Sequence, residues 1–137
     1  MSPEVLLSKL ETLTQVLDDL KIHVKQRREE QEKAHYEIER QVQLSVDTAI
    51  AVARRMLLLE GIVAPQTARE VFELLGKKKL IRSSMAKTLA NAVGLRNLIV
   101  HEYGKIDYDL FFSGLPKGYS ALVGFTQIAR GFLKKNG

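Results

Sequence analysis

The chain has 137 residues, 45% of them hydrophobic and 27% charged, which suits one folded domain with its own core and excludes a disordered or fibrous class. It contains no cysteine, so disulfides and thiolate metal sites are excluded, and no apolar run reaches the roughly 18 residues that mark a membrane helix. The formal charge of +5 favours a polyanionic partner. No basic-then-apolar leader pattern opens the chain, and a reducing cytoplasm is the expected compartment.

In chain order, Leu6, Leu10, Leu13, Leu17, Leu20 and Val24 alternate spacings of four and three, which predicts a helix with a narrow, coiled-coil-like apolar stripe. Ser2 is a cap candidate and Pro3 suits the first helical position. From Lys25 to Lys33 no residue is apolar, and the stretch reads as a solvated helix end or connection. His23 and His35 flank it and read as surface histidines.

A second helix is expected from about Ala34 to Glu60, with Ile38, Val42, Ser45, Ala49, Val52 and Met56 on its stripe and Val46, Ala53 and Leu57 widening it. Arg54 and Arg55 read as its solvated face. Gly61 is the expected stop. Thr67-x-x-Glu70 has the form of a capping box ahead of a short third helix that ends near Gly76.

Lys77, Lys78, Lys79, Arg82 and Lys87 then form the sharpest basic cluster in the chain. Two readings stay open for it: a phosphate-backbone contact for RNA and a solvated loop. Ser83 or Ser84 is the expected cap of a fourth helix. Its stripe runs Met85, Leu89, Ala92, Arg96, Ile99 and Tyr103, so Arg96 stands where the pattern asks for an apolar residue. Local rules of this kind tend to fail at functional sites.

Asp107 is the expected cap of a short helix through Phe111 and Phe112 that ends before Pro116. A last helix follows, with Leu122, Phe125, Ala129 and Phe132 inward. No strand pattern is present. The fold class predicted is all-α, a mostly antiparallel bundle of about five helices, with residues 1–137 as one domain.

The polar residues of Gly94–Gly104, GLRNLIVHEYG, carry the chemistry. Arg96 and Tyr103 are seven apart and project within roughly 20° of one another on a helix, and Asn97 and His101 are four apart on one face. Arg96 and His101 diverge by about 140°, so they meet only if the helix ends or distorts, or if a second copy supplies the missing half. Gly104 is the expected helix stop. The acids nearby, Glu102, Asp107 and Asp109, are too evenly spread to form a metal site.

Arg96-Asn97-x-x-x-His101-x-Tyr103 resembles the R-x4-H-x-Y signature of the HEPN superfamily in its HepT branch, and the likeness extends from about Tyr36 to the C-terminus. The resemblance implies a ribonuclease toxin of a type VII-like toxin–antitoxin pair, needing no metal and no cofactor. It implies Arg96, Asn97 and His101 as catalytic residues and a homodimer whose active cleft is shared between protomers. It also implies a partner, an MntA-like minimal nucleotidyltransferase, which neutralises the toxin by AMPylation of Tyr103. Two other readings are carried beside it: a non-catalytic RNA- or nucleotide-binding HEPN module, and a dimeric adaptor for a nucleotidyltransferase.

Overall fold

The leucines spaced four and three apart at the N-terminus do form a helix. In the computed structural model, which describes residues 3–136, α1 runs Pro3–Val24 and buries Leu6, Leu10, Leu13, Leu17 and Leu20. Each fully buried leucine contributes about 1.5–3 kcal/mol. The expected cap, Ser2, lies outside the described residues. After α1 come α2 (Arg28–Lys33), α3 (His35–Leu59), α4 (Ala68–Lys77), α5 (Ser83–His101), a 3-10 turn (Tyr103–Lys105) and α6 (Tyr108–Asn136). Among the described residues there are thus six α-helices and no strand, against the about five expected: α2 is added, and the two helices expected on either side of Pro116 are one.

The extra element is α2, inside the stretch read as a solvated connection. It forms because Gln31 turns inward, is buried, and donates from Nε2 to the His23 carbonyl at 2.9 Å. His23 is buried as well, against the expectation of a surface histidine. Its Nδ1 meets Gln26 Oε1 at 2.8 Å, and its Nε2 faces Glu37 at 3.5 Å.

α3 is the axis of the molecule. Ile38, Val42, Val46, Ala49, Val52, Ala53, Met56 and Leu57 are all buried along it. α1, α4, α5 and α6 all pack on it. Phe72 of α4 and Phe125 of α6 meet edge-to-face in the core at 5.7 Å between ring centroids. Arg54 is not merely solvated: its two Nη atoms donate to the carbonyls of Pro65 and Gln66 at 2.8 and 3.1 Å, tying the α3–α4 loop to the helix.

α3 ends at Gly61 as its sequence predicts. Gly61 has φ +73°, its N–H donates to the Leu58 carbonyl, and the Ile62 N–H donates to the Leu57 carbonyl, the paired bonds of a Schellman motif. The same motif closes α4, with Leu80 N–H on the Leu75 carbonyl and Lys79 N–H on the Gly76 carbonyl, but here the left-handed residue is Lys79 at φ 59°. A side chain in that conformation costs about 1–2 kcal/mol, and glycine gives part of the gain back as chain entropy. Lys79→Gly should therefore stabilise the fold by about 0.5–1 kcal/mol in denaturant unfolding. A destabilised variant would mean that the lysine side chain makes contacts that matter more than its backbone strain.

Three boundaries differ from expectation. Thr67 caps α4 as predicted, its Oγ1 accepting from Glu70 N–H at 3.3 Å, but α5 is preceded by Arg82, which gives no side-chain cap, and Ser83 is already helical. Gly104 is not a left-handed stop: α5 closes on Glu102, and Gly104 continues in the 3-10 turn. Finally, Pro116 does not separate two helices but lies inside α6. It removes one N–H from the ladder, yet Phe111, Phe112 and Leu115 before it and Leu122 and Phe125 after it all bury, which holds the two halves in line.

Candidate functional site

α5 carries Arg96, Asn97 and His101 on its last two turns, and the 3-10 turn carries Tyr103. The first half of α3 lies against them, and its acids Glu39 and Asp47 organise the site. Arg96 Nε donates to Asp47 Oδ1 at 2.6 Å, and Arg96 Nη1 donates to Asn97 Oδ1 at 3.1 Å. The guanidinium is half-buried and fixed along one edge, while Nη2 has no hydrogen-bond partner among the described residues. A fork held in this way presents its remaining N–H groups in a set direction, which is the geometry that suits a phosphate oxygen. Asn97 orients Arg96, not the imidazole.

His101 is the last residue of α5 and is exposed, and its imidazole makes no hydrogen bond among the described residues. The helix is unbroken up to it. The divergence of about 140° between Arg96 and His101 therefore stands within one chain, and the two side chains do not converge on a common point.

Tyr103 belongs to a separate cluster. Its hydroxyl donates to Glu39 Oε1 at 2.5 Å, and the Tyr108 hydroxyl meets Glu39 Oε2 at 2.8 Å and the Tyr103 oxygen at 3.0 Å. His35 Nδ1 lies 2.8 Å from Glu39 Oε2, so this histidine too is part of the structure's inner network, not a free surface group. Glu39 is only 3% exposed. A carboxylate that deep is tolerable because three donors surround it. Burial of the hydroxyl, followed by its hydrogen bonds to Glu39 and Tyr108, pushes the Tyr103 phenol well above its ordinary value. The Tyr108 phenol is raised as well, burial first, with Glu39 adding to it and the hydrogen bond shared with Tyr103 opposing. Tyr103 as a whole remains 41% exposed.

Glu39 and Asp47 are eight residues apart on α3, so the tyrosine cluster and the arginine clip sit about 12 Å apart along that helix. The basic cluster lies further off. Lys77, Lys78, Lys79 and Arg82 are at the α4–α5 turn, and about 28 Å of helix separates Arg82 from His101. Lys87, on the first turns of α5, is about 21 Å away by the same rise. The fold does not bring these cations to the motif within one chain.

Neither Glu39 nor Asp47 was singled out by the sequence pattern, although one signal exists. Glu39 stands seven residues before Val46 and fourteen before Ala53, so it occupies the widened apolar stripe of α3 just as Arg96 occupies that of α5. Asp47 left no such trace.

Among the described residues, no group of three or more His, Asp or Glu side chains is placed to hold a metal ion. Asp107 caps α6 through Leu110 N–H, and Asp109 pairs with Arg28 at 3.1 Å. No described helix is long and apolar enough to cross a membrane. An apolar groove of about 240 Å³ between α3, α5 and α6, lined by Val46, Leu95, Phe111, Leu115 and Leu122, includes none of the motif residues.

The family described as Ribonuclease HepT-like matches residues 9–128. An mRNA nuclease HepT from Shewanella oneidensis is 30% identical over 69 residues, covering 50% of this chain and 52% of that protein. A tRNA nuclease HepT from Aphanizomenon flos-aquae is 35% identical over 77 residues, covering 56% and 52%. The matched chain spans about half the length of these curated relatives. Among solved structures, a tri-AMPylated Shewanella oneidensis HEPN toxin in complex with MNT antitoxin aligns with a TM-score of 0.84 at 19% identity, covering 96% of this chain and 99% of that one. A toxin–antitoxin crystal structure with AMP-PNP aligns at 0.77 and 20% identity, covering 94% and 99%. At these identities the structural likeness establishes the all-α fold.

Proposed function

The chain belongs to the Ribonuclease HepT-like family, and from that premise we propose that it is a metal-independent endoribonuclease, the toxin of a toxin–antitoxin pair, acting in the cytoplasm. The observation that carries this reading is the Arg96 fork, oriented by Asp47 and Asn97, on the same helix end as an exposed His101.

RNA supplies its own nucleophile. His101 takes the proton of a ribose 2′-hydroxyl, whose oxygen attacks the adjacent phosphorus. The bond to the 5′-oxygen breaks, that oxygen leaves with a proton, and a 2′,3′-cyclic phosphate remains. Arg96 holds the phosphate and stabilises the negative charge that builds on it. Asn97 serves by fixing the arginine.

The reading includes a homodimer. Because Arg96 and His101 diverge on a continuous helix, a two-fold partner supplies the facing half of the cleft and with it the second proton-transfer group. The long basic surface from Lys77 to Lys87 then serves as a contact for more distant RNA phosphates.

Tyr103 is proposed as the residue modified by a partner nucleotidyltransferase of the MNT class, the kind of protein with which the tri-AMPylated Shewanella toxin forms its complex. Adenylate on its hydroxyl displaces the proton now donated to Glu39 and sets a phosphate against a buried carboxylate. Purified, unmodified protein should degrade total cellular RNA in excess chelator. Tyr103→Phe should degrade it too but take up no adenylate from the partner, read by intact mass. RNA left whole by the unmodified protein would sink the nuclease reading, and adenylate on Tyr103→Phe would sink the assignment of the tyrosine.

The alternative of a binding module without turnover rests on the same Arg96 fork, and retention of RNA without cleavage is its signature. An adaptor for a nucleotidyltransferase needs neither Arg96 nor His101.

A further inference from the structure

Resting on that reading, we propose that Tyr36 and Tyr103 form an aromatic clamp for one unstacked nucleobase, held beside His101. Tyr36 is 71% exposed, and its hydroxyl has no hydrogen-bond partner among the described residues. A single exposed aromatic ring would mean little. This one lies parallel to the Tyr103 ring, 11° between planes, with centroids 6.4 Å apart.

Centroids this far apart with parallel planes are those of an offset-stacked pair, whose facing surfaces are only partly covered by one another. A base enters between them once the exposed Tyr36 ring swings out to leave about 7 Å between the planes. Bases taken out of the stack are held in this manner by aromatic side chains in single-strand RNA recognition.

Both walls are pre-oriented by the same buried carboxylate. Tyr103 is fixed through its hydroxyl to Glu39 and Tyr108. Tyr36 rests on the His35 ring at 4.0 Å between centroids, and His35 is anchored by Nδ1 to Glu39 and packs edge-to-face on Tyr108. Two rings aligned at this cost in buried polar groups, with one left open to solvent, form a built surface and not a chance contact.

The surroundings suit a nucleotide. Arg40 is exposed one turn along α3 from Tyr36, on the same face, where it can meet a phosphate. His101 precedes Tyr103 by two residues, so a base in the clamp belongs to a nucleotide within a few positions of the scissile bond. The base can come from an RNA strand or from an adenylate carried on Tyr103, and stacking serves both because every base has a π face.

The test measures binding of a single-stranded 2′-O-methyl oligonucleotide, which lacks the nucleophile and cannot be cut, beside the same strand with abasic positions scanned along it. AMP is titrated in a separate arm. The proteins are the parent, Tyr36→Ala and Tyr36→Phe. The parent should prefer the complete strand to the strand lacking the clamped base by about ten- to a hundredfold. Tyr36→Ala should lose that preference, and Tyr36→Phe should keep it, since stacking does not need the hydroxyl. Unfolding midpoints should match, because the ring is exposed.

If Tyr36→Ala binds every probe as the parent does, or the parent is indifferent to the missing base and to AMP, the clamp is overturned, even where RNA is cleaved normally. Tyr36-dependent binding of AMP by a protein that cleaves no RNA supports the clamp and overturns the nuclease reading.

Discussion

His101→Ala should lower RNA cleavage by about 10²–10⁴-fold while leaving the unfolding midpoint nearly unchanged. The factor is what one positioned general acid or base contributes. The midpoint should hold because His101 is exposed and its imidazole makes no hydrogen bond among the described residues, and surface changes of that kind stay within about 0.5 kcal/mol. Arg96→Ala should cost about 10²–10³, the usual loss when one donor to developing negative charge is removed. Arg96→Lys should recover only part of it. A lysine keeps the charge but cannot hold Asp47 and Asn97 while also presenting a fork to phosphate.

The proposed sharing of one cleft between protomers predicts a second result. Each single variant should stay at its own low rate, but protomers of Arg96→Ala mixed with protomers of His101→Ala should recover part of the lost activity, because the mixed cleft holds one Arg96 and one His101 although it lacks the second proton-transfer group. Full activity in His101→Ala would remove the histidine from the chemistry. Silence in the mixture, with exchange of protomers shown by mass spectrometry, would remove the shared cleft.

The second large effect is on stability. Glu39→Ala should destabilise the protein by about 3 kcal/mol, since it takes the common acceptor away from Tyr103, Tyr108 and His35 at once. That corresponds to a midpoint lowered by roughly 10 °C for a chain of this size. The phenols give an independent readout. In the unfolded chain they ionise near the ordinary value of 10.0, whereas the fold holds Tyr103 and Tyr108 protonated to higher pH. Their contribution to stability is therefore complete below that pH and falls away as pH rises above it.

An alkaline absorbance titration of the parent should show Tyr103 and Tyr108 ionising above the ordinary phenol value or only with unfolding. In Glu39→Ala these two phenols should ionise at lower pH than in the parent. A variant as stable as the parent, or one whose Tyr103 and Tyr108 titrate as they do in the parent, would show that the Glu39 network does not hold the end of α5 to α3.

Much of the fold could be read from the residues because the signals were local. The leucines of α1 repeat over several turns, the Thr67–Glu70 box sits just ahead of its helix, and Gly61 stands where a left-handed residue must follow α3. The misreadings have non-local causes. Pro116 is a helix breaker by intrinsic preference, and only the burial of aromatic residues on both sides overrules it. Gln31 and His23 read as solvated until their mutual hydrogen bonding with the backbone and Gln26 shows how they are buried.

The candidate site divides in the same way. Arg96, Asn97, His101 and Tyr103 stand close together in sequence and form a recognisable pattern. Their supports, Asp47 and Glu39, are 49 and 64 residues away from the groups they hold. Their role arises only from the packing of α3 on α5, which no spacing rule within a single segment can express.

α6 has a further consequence. Gly114, Pro116 and Gly118 fall within five residues of one helix, and a side chain at either glycine would meet nothing within 4 Å. Packing therefore does not call for this composition, while intrinsic preference opposes it by roughly 5 kcal/mol in total. Geometrically α6 is one rod. Energetically it is two cooperative units joined at a weak link: the first is anchored by Phe111 and Phe112 beside the Tyr108 network, and the second by Phe125 and Phe132 in the core. Opening events that release amides to solvent exchange should begin at this link, so that the end of the molecule bearing the tyrosine cluster can breathe while the remainder of the bundle stays closed.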